Sequence, residues 1–292
     1  MNELAWLVGK NGMLGREVEE ILSARGMALV GTGRELDITD AAVVDAFAGK
    51  HCPTWIVNCA AYTNVDGAED EPDAAGAVNA TGPRNLARAA RAAGAMLLHI
   101  STDYVFDGRK QDGYDPGDPV SPLGVYGRTK AEGEAAIAAE TDAYVIIRTA
   151  WLYGRHGKNF VSTMLRLLKE RGSVRVVDDQ RGSPTYAKDL AAAIRAVIES
   201  PHMRETSGIY HYTNEGATTW FEFAQEIARL GTERGLVTDS VKVEAVSSAE
   251  WGAKAPRPMC SLLDLSKTRR VFGIAPPPWR ESLARYLDEL AS

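Results

Sequence analysis

Short apolar runs alternate with alanine-rich amphipathic stretches over the first half of the chain. The apolar runs are too short for helices and are bounded by turn-forming or polar residues, so we predict strands at 4–8, 27–30, 55–57, 96–100 and 144–148. Apolar positions at helical spacing predict helices over 16–25, 74–94 and 129–140. Apolar strands separated by helices are typical of a parallel sheet that is covered on both faces.

The second half of the chain is less regular. We predict a strand at 174–177 and a helix at 187–199, and both can return to the first domain. The segments 208–213, 220–230 and 241–246 indicate a smaller mixed domain, and a last helix is predicted at 280–290. The predicted fold is therefore α/β, a doubly wound parallel sheet with a second, smaller mixed α/β domain. The first domain takes residues 1–148 and about 173–199, and the second takes about 149–172 and 200–292.

Composition and charge exclude several classes of protein. The 292 residues include 33 Lys and Arg against 39 Asp and Glu, a net charge of −6, which argues against general binding to nucleic acid or to anionic membranes. No apolar run approaches the roughly 18 residues of a spanning helix, and the first residues do not resemble a signal peptide. Three cysteines without a secretory signal favour reduced thiols in the cytoplasm. His51, Cys52 and Cys59 lack the paired spacing of a zinc site, so no metal is expected there.

A glycine loop lies between the first predicted strand and the first predicted helix. Gly9, Gly12 and Gly15 permit a tight turn, close approach of phosphates and packing of the helix on the strand, respectively. Backbone N–H groups and the positive end of the helix then meet at one point, where a pyrophosphate fits. We predict that the first domain is an NAD(P)-binding Rossmann domain. The predicted cofactor contacts in this loop are Gly9, Asn11, Gly12, Met13, Leu14 and Gly15.

The segment after the second predicted strand bears on the choice of cofactor. It reads Gly31-Thr32-Gly33-Arg34, without the acidic residue that usually binds an NAD ribose, and Arg34 can pair with a 2′-phosphate. NADPH is therefore favoured, and use of NADH stays open. Small residues after the third strand leave room for the cofactor. Further predicted cofactor contacts are Asp37, Ile38, Ala60, Ala61 and Thr63.

Two segments contain candidate acid–base chemistry. Tyr126 and Lys130 are four residues apart and share a face of a helix. A lysine ammonium lowers the pKa of a neighbouring phenol from about 10, which suits a general acid–base. Thr102 lies at the end of the fourth strand and can hydrogen-bond the same substrate oxygen. We predict that these three residues are catalytic and that Tyr126 and Lys130 also contact the cofactor.

The motifs resemble those of the extended short-chain dehydrogenase/reductase superfamily and, within it, the family of dTDP-4-dehydrorhamnose reductases. The resemblance covers nearly the whole chain. Its motifs after the glycine loop are Asn58-Cys-Ala-Ala-Tyr-Thr63, Ser101-Thr-Asp-Tyr-Val-Phe106, Ser121-Pro-Leu-Gly-Val-Tyr-Gly-Arg-Thr-Lys130, Arg148-Thr-Ala-Trp-Leu-Tyr153, Asn159-Phe160, Asp179-Gln-Arg-Gly-Ser-Pro-Thr185 and Arg257-Pro258. The resemblance implies an NAD(P)H-dependent reduction of the C4 ketone of dTDP-4-dehydro-β-L-rhamnose to dTDP-L-rhamnose.

The resemblance also implies roles for individual residues. Tyr126 donates the proton to the forming alkoxide, Lys130 binds the nicotinamide ribose, and Thr102 orients the carbonyl. The expected substrate contacts, with arginines suited to the diphosphate, are Thr102, Asp103, Trp151, Asn159, Arg181 and Arg257.

One departure from the family concerns magnesium. Some members form dimers bridged by magnesium on glutamates, and Glu17 and Glu289 resemble two of those positions. The third position is Lys188, whose positive charge repels a metal. We therefore expect no magnesium-bridged dimer, a monomer or weak homodimer, and solvated roles for Glu17 and Glu289.

One alternative function within the superfamily is a nucleotide-sugar 4,6-dehydratase or epimerase. A dehydratase of this group usually has Glu where this chain has Tyr104, so the elimination step lacks its acid. A reductase of another nucleotide-linked 4-keto-6-deoxy sugar stays open. So does a non-catalytic NADP-binding regulatory subunit, although Thr102, Tyr126 and Lys130 favour catalysis.

Overall fold

The computed structural model describes residues 4–201 and 205–292, and its centre is a six-stranded parallel sheet. The strands along the chain are β1 (Leu4–Val8), β2 (Ala28–Thr32), β3 (Trp55–Asn58), β4 (Met96–Thr102), β5 (Tyr144–Thr149), β6 (Leu152–Tyr153), β7 (Ser173–Val177), β8 (Arg181–Gly182), β9 (Thr185–Tyr186), β10 (Gly208–His211), β11 (Thr218–Thr219) and β12 (Lys242–Val246). The central sheet has the order β10-β5-β4-β3-β1-β2. The five strands predicted in the first half are confirmed, with small shifts at their ends, as is the α/β fold with a parallel sheet.

Helices cover both faces of this sheet. The helices along the chain are α1 (Met13–Ser23), α2 (Ala41–His51), α3 (Val65–Ala68), α4 (Pro72–Gly76), α5 (Gly82–Ala93), α6 (Val125–Glu140), α7 (Phe160–Arg171), α8 (Ala187–Ile198), α9 (Trp220–Glu233), α10 (Ser248–Trp251), α11 (Ser266–Phe272) and α12 (Trp279–Ala291). Ala5 and Leu7 of β1 pack with α1 and α8 on one face, whereas Trp6 and Val8 pack with α2 and α5 on the other. The alternation of side chains along a strand thus supplies both cores. The predicted helix at 187–199 does return to the first domain.

A further apolar cluster, apart from the two cores of the central sheet, joins α7, α9 and α12 with the two-stranded parallel sheet of β7 and β12. The prediction that the strand at 174–177 returns to the first domain is therefore wrong. Val174 and Val176 are buried while Ser173 and Arg175 are exposed, so β7 has one apolar face, which packs on this further cluster. The domain boundaries themselves stay a prediction.

The assignment of residues 208–213 to the smaller domain also needs correction, because β10 pairs with β5 at the edge of the central sheet. Ile209 packs on one face of the sheet and Tyr210 on the other. A strand with apolar neighbours on both faces fits a covered sheet better than a one-sided one.

Helix boundaries differ from the predictions in two ways. The predicted helix at 74–94 is divided into α4, a π-helical turn over Ala77–Thr81, and α5. Pro83 lies in the first turn of α5 and has no N–H group to donate to the preceding turn. Helices α1 and α6 begin earlier than predicted, directly after Gly12 and Gly124. No helix of residues 4–201 and 205–292 is long and apolar enough to cross a bilayer.

A buried ion pair attaches α6 to the sheet. The Arg148 guanidinium donates to both carboxylate oxygens of Glu134, at 2.9 and 2.6 Å, and only 2% and 5% of the two side chains are exposed. The guanidinium also donates to the Pro116 carbonyl and lies 4.9 Å from the centre of the Phe106 ring. Two-point contact in a dry environment gives α6 a defined position along β5.

Replacing Arg148 by Met tests this attachment. Loss of one partner leaves the Glu134 carboxylate buried without a counter-charge, so the free energy of unfolding should fall by about 3–5 kcal/mol. Urea denaturation measures the change. The control is Arg166→Met, which removes an exposed pair with Glu170 and should change stability by no more than about 0.5 kcal/mol. Equal effects of the two substitutions would contradict the role given to Arg148.

Candidate active site

The carboxyl ends of the strands border a cleft of about 1160 Å³. This volume exceeds that of an ordinary small-molecule pocket and leaves room for a dinucleotide together with a second ligand. The cleft lies where open α/β sheets bind ligands. It brings together most of the predicted site residues: Gly9, Asn11, Gly12, Met13, Leu14, Arg34, Asp37, Ile38, Ala60, Ala61, Thr63, Thr102, Asp103, Tyr126, Lys130 and Trp151.

The glycine loop has the close contacts expected of a phosphate-binding turn. Gly9 has a φ of +80°, and a Cβ there would lie 2.7 Å from the backbone nitrogen of Ala60. A Cβ on Gly15 would overlap the Gly9 carbonyl, so the glycine permits packing rather than lining the cleft. Helix α1 begins at Met13, directly after Gly12, with no side-chain cap and no acidic residue in its first turn. Its first N–H groups are thus available to an anion.

The adenosine end of the cleft contains a residue that the sequence analysis missed. Glu35 lies one residue beyond Arg34, lines the cleft, and accepts a 2.7 Å hydrogen bond from Gly33 N–H, which lowers the pKa of its carboxyl. Segment 31–34 has no carboxylate, as predicted, but Glu35 places one directly after it. Its position two residues beyond Gly33, directly after the predicted cofactor contact Arg34, could have identified Glu35 as a cleft residue from the sequence. Asp37 lines the cleft, but its carboxylate accepts hydrogen bonds from the backbone and hydroxyl of Thr39.

Tyr126 and Lys130 lie in the first turns of α6, beside the end of β4. A Cβ on Gly127 would overlap the carbonyl oxygen of Tyr104, so this glycine allows the helix to approach the turn after β4. The rings of Tyr104 and Tyr126 meet edge to face at 5.5 Å. The Thr102 hydroxyl donates to Asp103 Oδ1 over 3.0 Å. The three residues predicted to be catalytic are therefore neighbours.

The electrostatics of this cluster differ from the sequence-based prediction. Burial raises the pKa of the Tyr126 phenol to about 12, although the neighbouring Thr102 hydroxyl opposes this shift. Lys130 Nζ instead donates to the Ile100 carbonyl over 2.7 Å, and burial lowers its pKa to about 8. The prediction that Lys130 lowers the phenol pKa is therefore wrong for this state of the protein. Burial also raises the pKa of Asp103 to about 6.

Trp151, which also lines the cleft, has a left-handed backbone conformation, with a φ of +47°. Its indole stacks on Trp220 with ring centroids 3.6 Å apart, and a Cβ on Gly182 would lie 2.6 Å from the same ring. A left-handed backbone at a non-glycine residue persists only where surrounding contacts hold it. These contacts present the Trp151 ring as a fixed wall of the cleft.

Three predicted substrate contacts are not among the residues that line the cleft in the described part of the chain. Asn159 caps α7 by accepting from Ser162 N–H and donates to the Gly154 carbonyl. Arg257 pairs with Asp66 at 3.0 Å, and Arg181 is an exposed residue of β8. Their roles in binding substrate stay predictions. The cleft contains Lys158, which the sequence analysis passed over although it precedes the Asn159 motif.

Glu17 and Glu289, the two positions that resemble magnesium ligands, form ion pairs. Lys188 Nζ contacts Glu289 at 2.7 Å, and Arg155 contacts both Glu17 and Glu289. Glu17 is only 2% exposed, so its predicted solvated role is wrong: its carboxylate is buried beside Arg155. The three cysteines are free thiols.

Comparisons with known proteins agree with this geometry. A family model described as "RmlD substrate binding domain" matches residues 5–292. The chain is 46% identical over 291 residues to a dTDP-4-dehydrorhamnose reductase of Streptomyces griseus, covering 98% of this chain and 93% of that protein. It is 42% identical to a dTDP-4-keto-6-deoxy-D-glucose reductase of Streptomyces niveus, covering 88% of each. The crystal structure of a Bacillus anthracis dTDP-4-dehydrorhamnose reductase with NADP superposes with a TM-score of 0.92 and 40% identity, over 99% of this chain and 100% of that one.

Substitution of Gly127 by Ala tests the close approach of α6. The added methyl group overlaps the Tyr104 carbonyl, so we expect a loss of about 1–3 kcal/mol in the free energy of unfolding. Gly49→Ala is the matched control, because Gly49 lies in α2 with open space around its Cβ position. This substitution should leave the free energy of unfolding unchanged or raise it slightly. Denaturation curves for the two variants decide the matter: if they coincide, α6 does not depend on a glycine at 127.

Proposed function

The chain belongs to the RmlD substrate-binding-domain family, and from that premise we propose that it is an NADPH-dependent reductase of the C4 ketone of dTDP-4-dehydro-β-L-rhamnose. The product is dTDP-L-rhamnose. The observation that carries the proposal is the placement of Thr102, Tyr126 and Lys130 in one cleft with the glycine loop. Nearly full-length similarity to named reductases supports the same substrate class.

The residues present fit NADPH. The cradle at Gly9 excludes a side chain, and the uncapped start of α1 offers N–H groups for the diphosphate. Arg34 is exposed at the adenosine end and suits a 2′-phosphate, while the neighbouring Glu35 folds back on Gly33. When bound, NADPH supplies the hydride for the ketone carbon. The NADP in the crystal structure of the Bacillus anthracis relative supports this preference, and acceptance of NADH stays open.

Tyr126 is the proposed proton donor. Because burial raises the pKa of its phenol to about 12, the phenol is protonated at neutral pH, which is the form that a reduction consumes. An alkoxide is a stronger base than a phenolate, so the proton transfer is favourable as the alkoxide forms. Thr102 lies beside Tyr126 and orients the carbonyl oxygen, and Asp103 adjoins the sugar.

The second side of the site is proposed to hold the nucleotide sugar. Trp151 forms a rigid apolar wall for the sugar ring. Arg257, Arg181 and Asn159 are proposed for the diphosphate, which requires Arg257 to exchange Asp66 for the ligand. We retain the predictions of a cytoplasmic protein that is a monomer or weak homodimer.

A reductase of another nucleotide-linked 4-keto-6-deoxy sugar is the second candidate. The relative from Streptomyces niveus, named for such a substrate, is 42% identical, so similarity in this range includes more than one sugar. A purely regulatory NADP-binding role is disfavoured by the assembled Thr102, Tyr126 and Lys130.

A coupled assay tests the proposal. The keto sugar is generated in place, and consumption of NADPH and of NADH is followed by absorbance. We expect consumption with NADPH and formation of dTDP-L-rhamnose, with NADPH preferred to the extent that Arg34 binds the 2′-phosphate. Turnover of a different 4-keto sugar alone favours the second candidate, and cofactor binding without turnover of either sugar favours a regulatory subunit.

Tyr126→Phe removes the proposed acid while keeping the ring. We expect kcat to fall by about 100- to 10,000-fold, because general acid catalysis contributes on that order, with NADPH binding retained. Steady-state kinetics and fluorescence titration with NADPH measure the two quantities. Tyr144→Phe, at the opposite end of β5 from the cleft, is the control and should keep full activity. Normal turnover by Tyr126→Phe would mean that another group donates the proton.

A further inference from the structure

The first turn of α6 is held by a side chain from outside the helix. Its N-cap residue, Gly124, has no side chain that could bind the first N–H groups of the helix. The carboxylate of Glu69, which lies 56 residues before Val125 in the chain, accepts the Val125 N–H over 2.8 Å instead. Tyr126 follows Val125 directly. Glu69, at the end of α3, thus supplies the cap that the start of α6 lacks.

Gly124 makes room for this contact. A Cβ on Gly124 would lie 2.7 Å from Glu69 Oε1 and 3.4 Å from the ring of Pro256. The start of α6 therefore lies between the Glu69 carboxylate and the chain around Pro256. The positive end of a helix also favours a carboxylate, so a Glu side chain suits this position.

The short helix α3 is itself fixed, which gives Glu69 a defined position. Asp66 of α3 accepts the Ala255 N–H over 3.0 Å, and it pairs with Arg257 at 3.0 Å. Rotation of α3 away from α6 would break these contacts. They therefore hold the Glu69 carboxylate at the start of α6.

Apolar contacts continue this attachment as far as the side chain of Tyr126. Val125 is buried with Ala68 and Ala75 in a small apolar cluster, and the side chain of Tyr126 packs against that cluster. Ala68 belongs to α3 and Ala75 to α4. The proposed proton donor thus rests against the same short helix that precedes Glu69.

We propose that Glu69 is a positioning residue for Tyr126. By binding the N–H of the preceding residue, its carboxylate fixes the first turn of α6 and, with it, the distance from the phenol to the ketone oxygen. The ion pair of Glu134 with Arg148 fixes the middle of the same helix. The inference rests on the proposed function in taking Tyr126 as the proton donor.

Hydrogen exchange in the ligand-free protein tests the cap. Glu69→Ala removes the acceptor, whereas Glu69→Gln keeps an oxygen that can accept the same N–H. We expect the Val125 amide hydrogen to exchange about 2- to 30-fold faster in Glu69→Ala than in the wild type, because a helix cap contributes stability on that order. Glu69→Gln should keep most of the protection. Equal exchange in the wild type and in Glu69→Ala, followed by NMR, would overturn the proposal.

Single-turnover reduction of the keto sugar tests the positioning. We expect the rate at saturation to fall by about 10- to 100-fold in Glu69→Ala, because a displacement of about 1 Å can cost that much. Glu69→Gln should restore most of the rate. The dissociation constants of NADPH and of the sugar should stay close to those of the wild type, since Glu69 lies outside the set of described residues that line the cleft.

Two comparisons separate positioning from a general loss of stability. In a Tyr126→Phe background, Glu69→Ala should cause little further loss of rate, because no phenol hydroxyl is left to position. Asp40→Ala is the matched control, because Asp40 caps α2 by accepting the N–H groups of Ala42 and Val43. This variant also loses a helix cap but should keep the wild-type rate. An equal loss of rate in Asp40→Ala, or an undiminished effect in the Tyr126→Phe background, would overturn the role of Glu69.

These measurements also separate the role of Glu69 from the proposed function. If the wild type reduces the keto sugar and Glu69→Ala does so equally fast, the role of Glu69 is rejected and the reaction stands. If the wild type itself does not reduce the keto sugar, the reaction is rejected, and the role of Glu69 in it is rejected as well.

Discussion

The buried ion pair between Glu134 and Arg148 is the contact on which the site depends most. It joins the middle of α6 to β5, next to the strand whose end carries Thr102. Tyr126 lies two turns before Glu134 and Lys130 lies one turn before it, so the position of the ion pair sets where the side chains of Tyr126 and Lys130 reach. Close contacts made possible by Gly127 and Gly133 bring the same helix against the turn after β4 and against Asn79. The ion pair fixes the position of α6 along the sheet. The two glycines, which have no side chain, allow the helix to approach the neighbouring backbone closely.

Burial then determines the chemistry of the groups on α6. The same low-polarity surroundings that make the Glu134–Arg148 pair expensive to break keep the Tyr126 phenol protonated and disfavour the Lys130 ammonium. A reductase must deliver a proton to an alkoxide, so a phenol with a raised pKa is suited to the proposed direction. Strand β4 positions Lys130: its Nζ donates to the Ile100 carbonyl and lies 3.1 Å from His99 Nε2.

Local patterns were sufficient for the strands of the first half, for the glycine loop and for the Tyr126–Lys130 pair, because each depends on residues close together in the chain. The partners of β7 and β10 were not predictable in this way, since pairing of 173–177 with 242–246 and of 208–211 with 144–149 depends on distant segments. The π-helical turn that lets Asn79 bond Tyr62 and Thr129 also leaves no clear pattern in the sequence. His99 was missed for a related reason: a histidine within an apolar strand resembles a core residue until its neighbours are known. The lowered phenol pKa failed as a prediction because spacing does not measure burial.

The most direct measurement of the proposed reaction is the NMR spectrum of the product formed from dTDP-4-dehydro-β-L-rhamnose and NADPH that carries deuterium at the reactive carbon of its nicotinamide. If the cleft between the glycine loop and Tyr126 reduces the ketone as proposed, the deuterium appears on C4 of the sugar in dTDP-L-rhamnose. Deuterium at another sugar carbon, or a sugar left unreduced while NADPH binds, would contradict the proposed reaction.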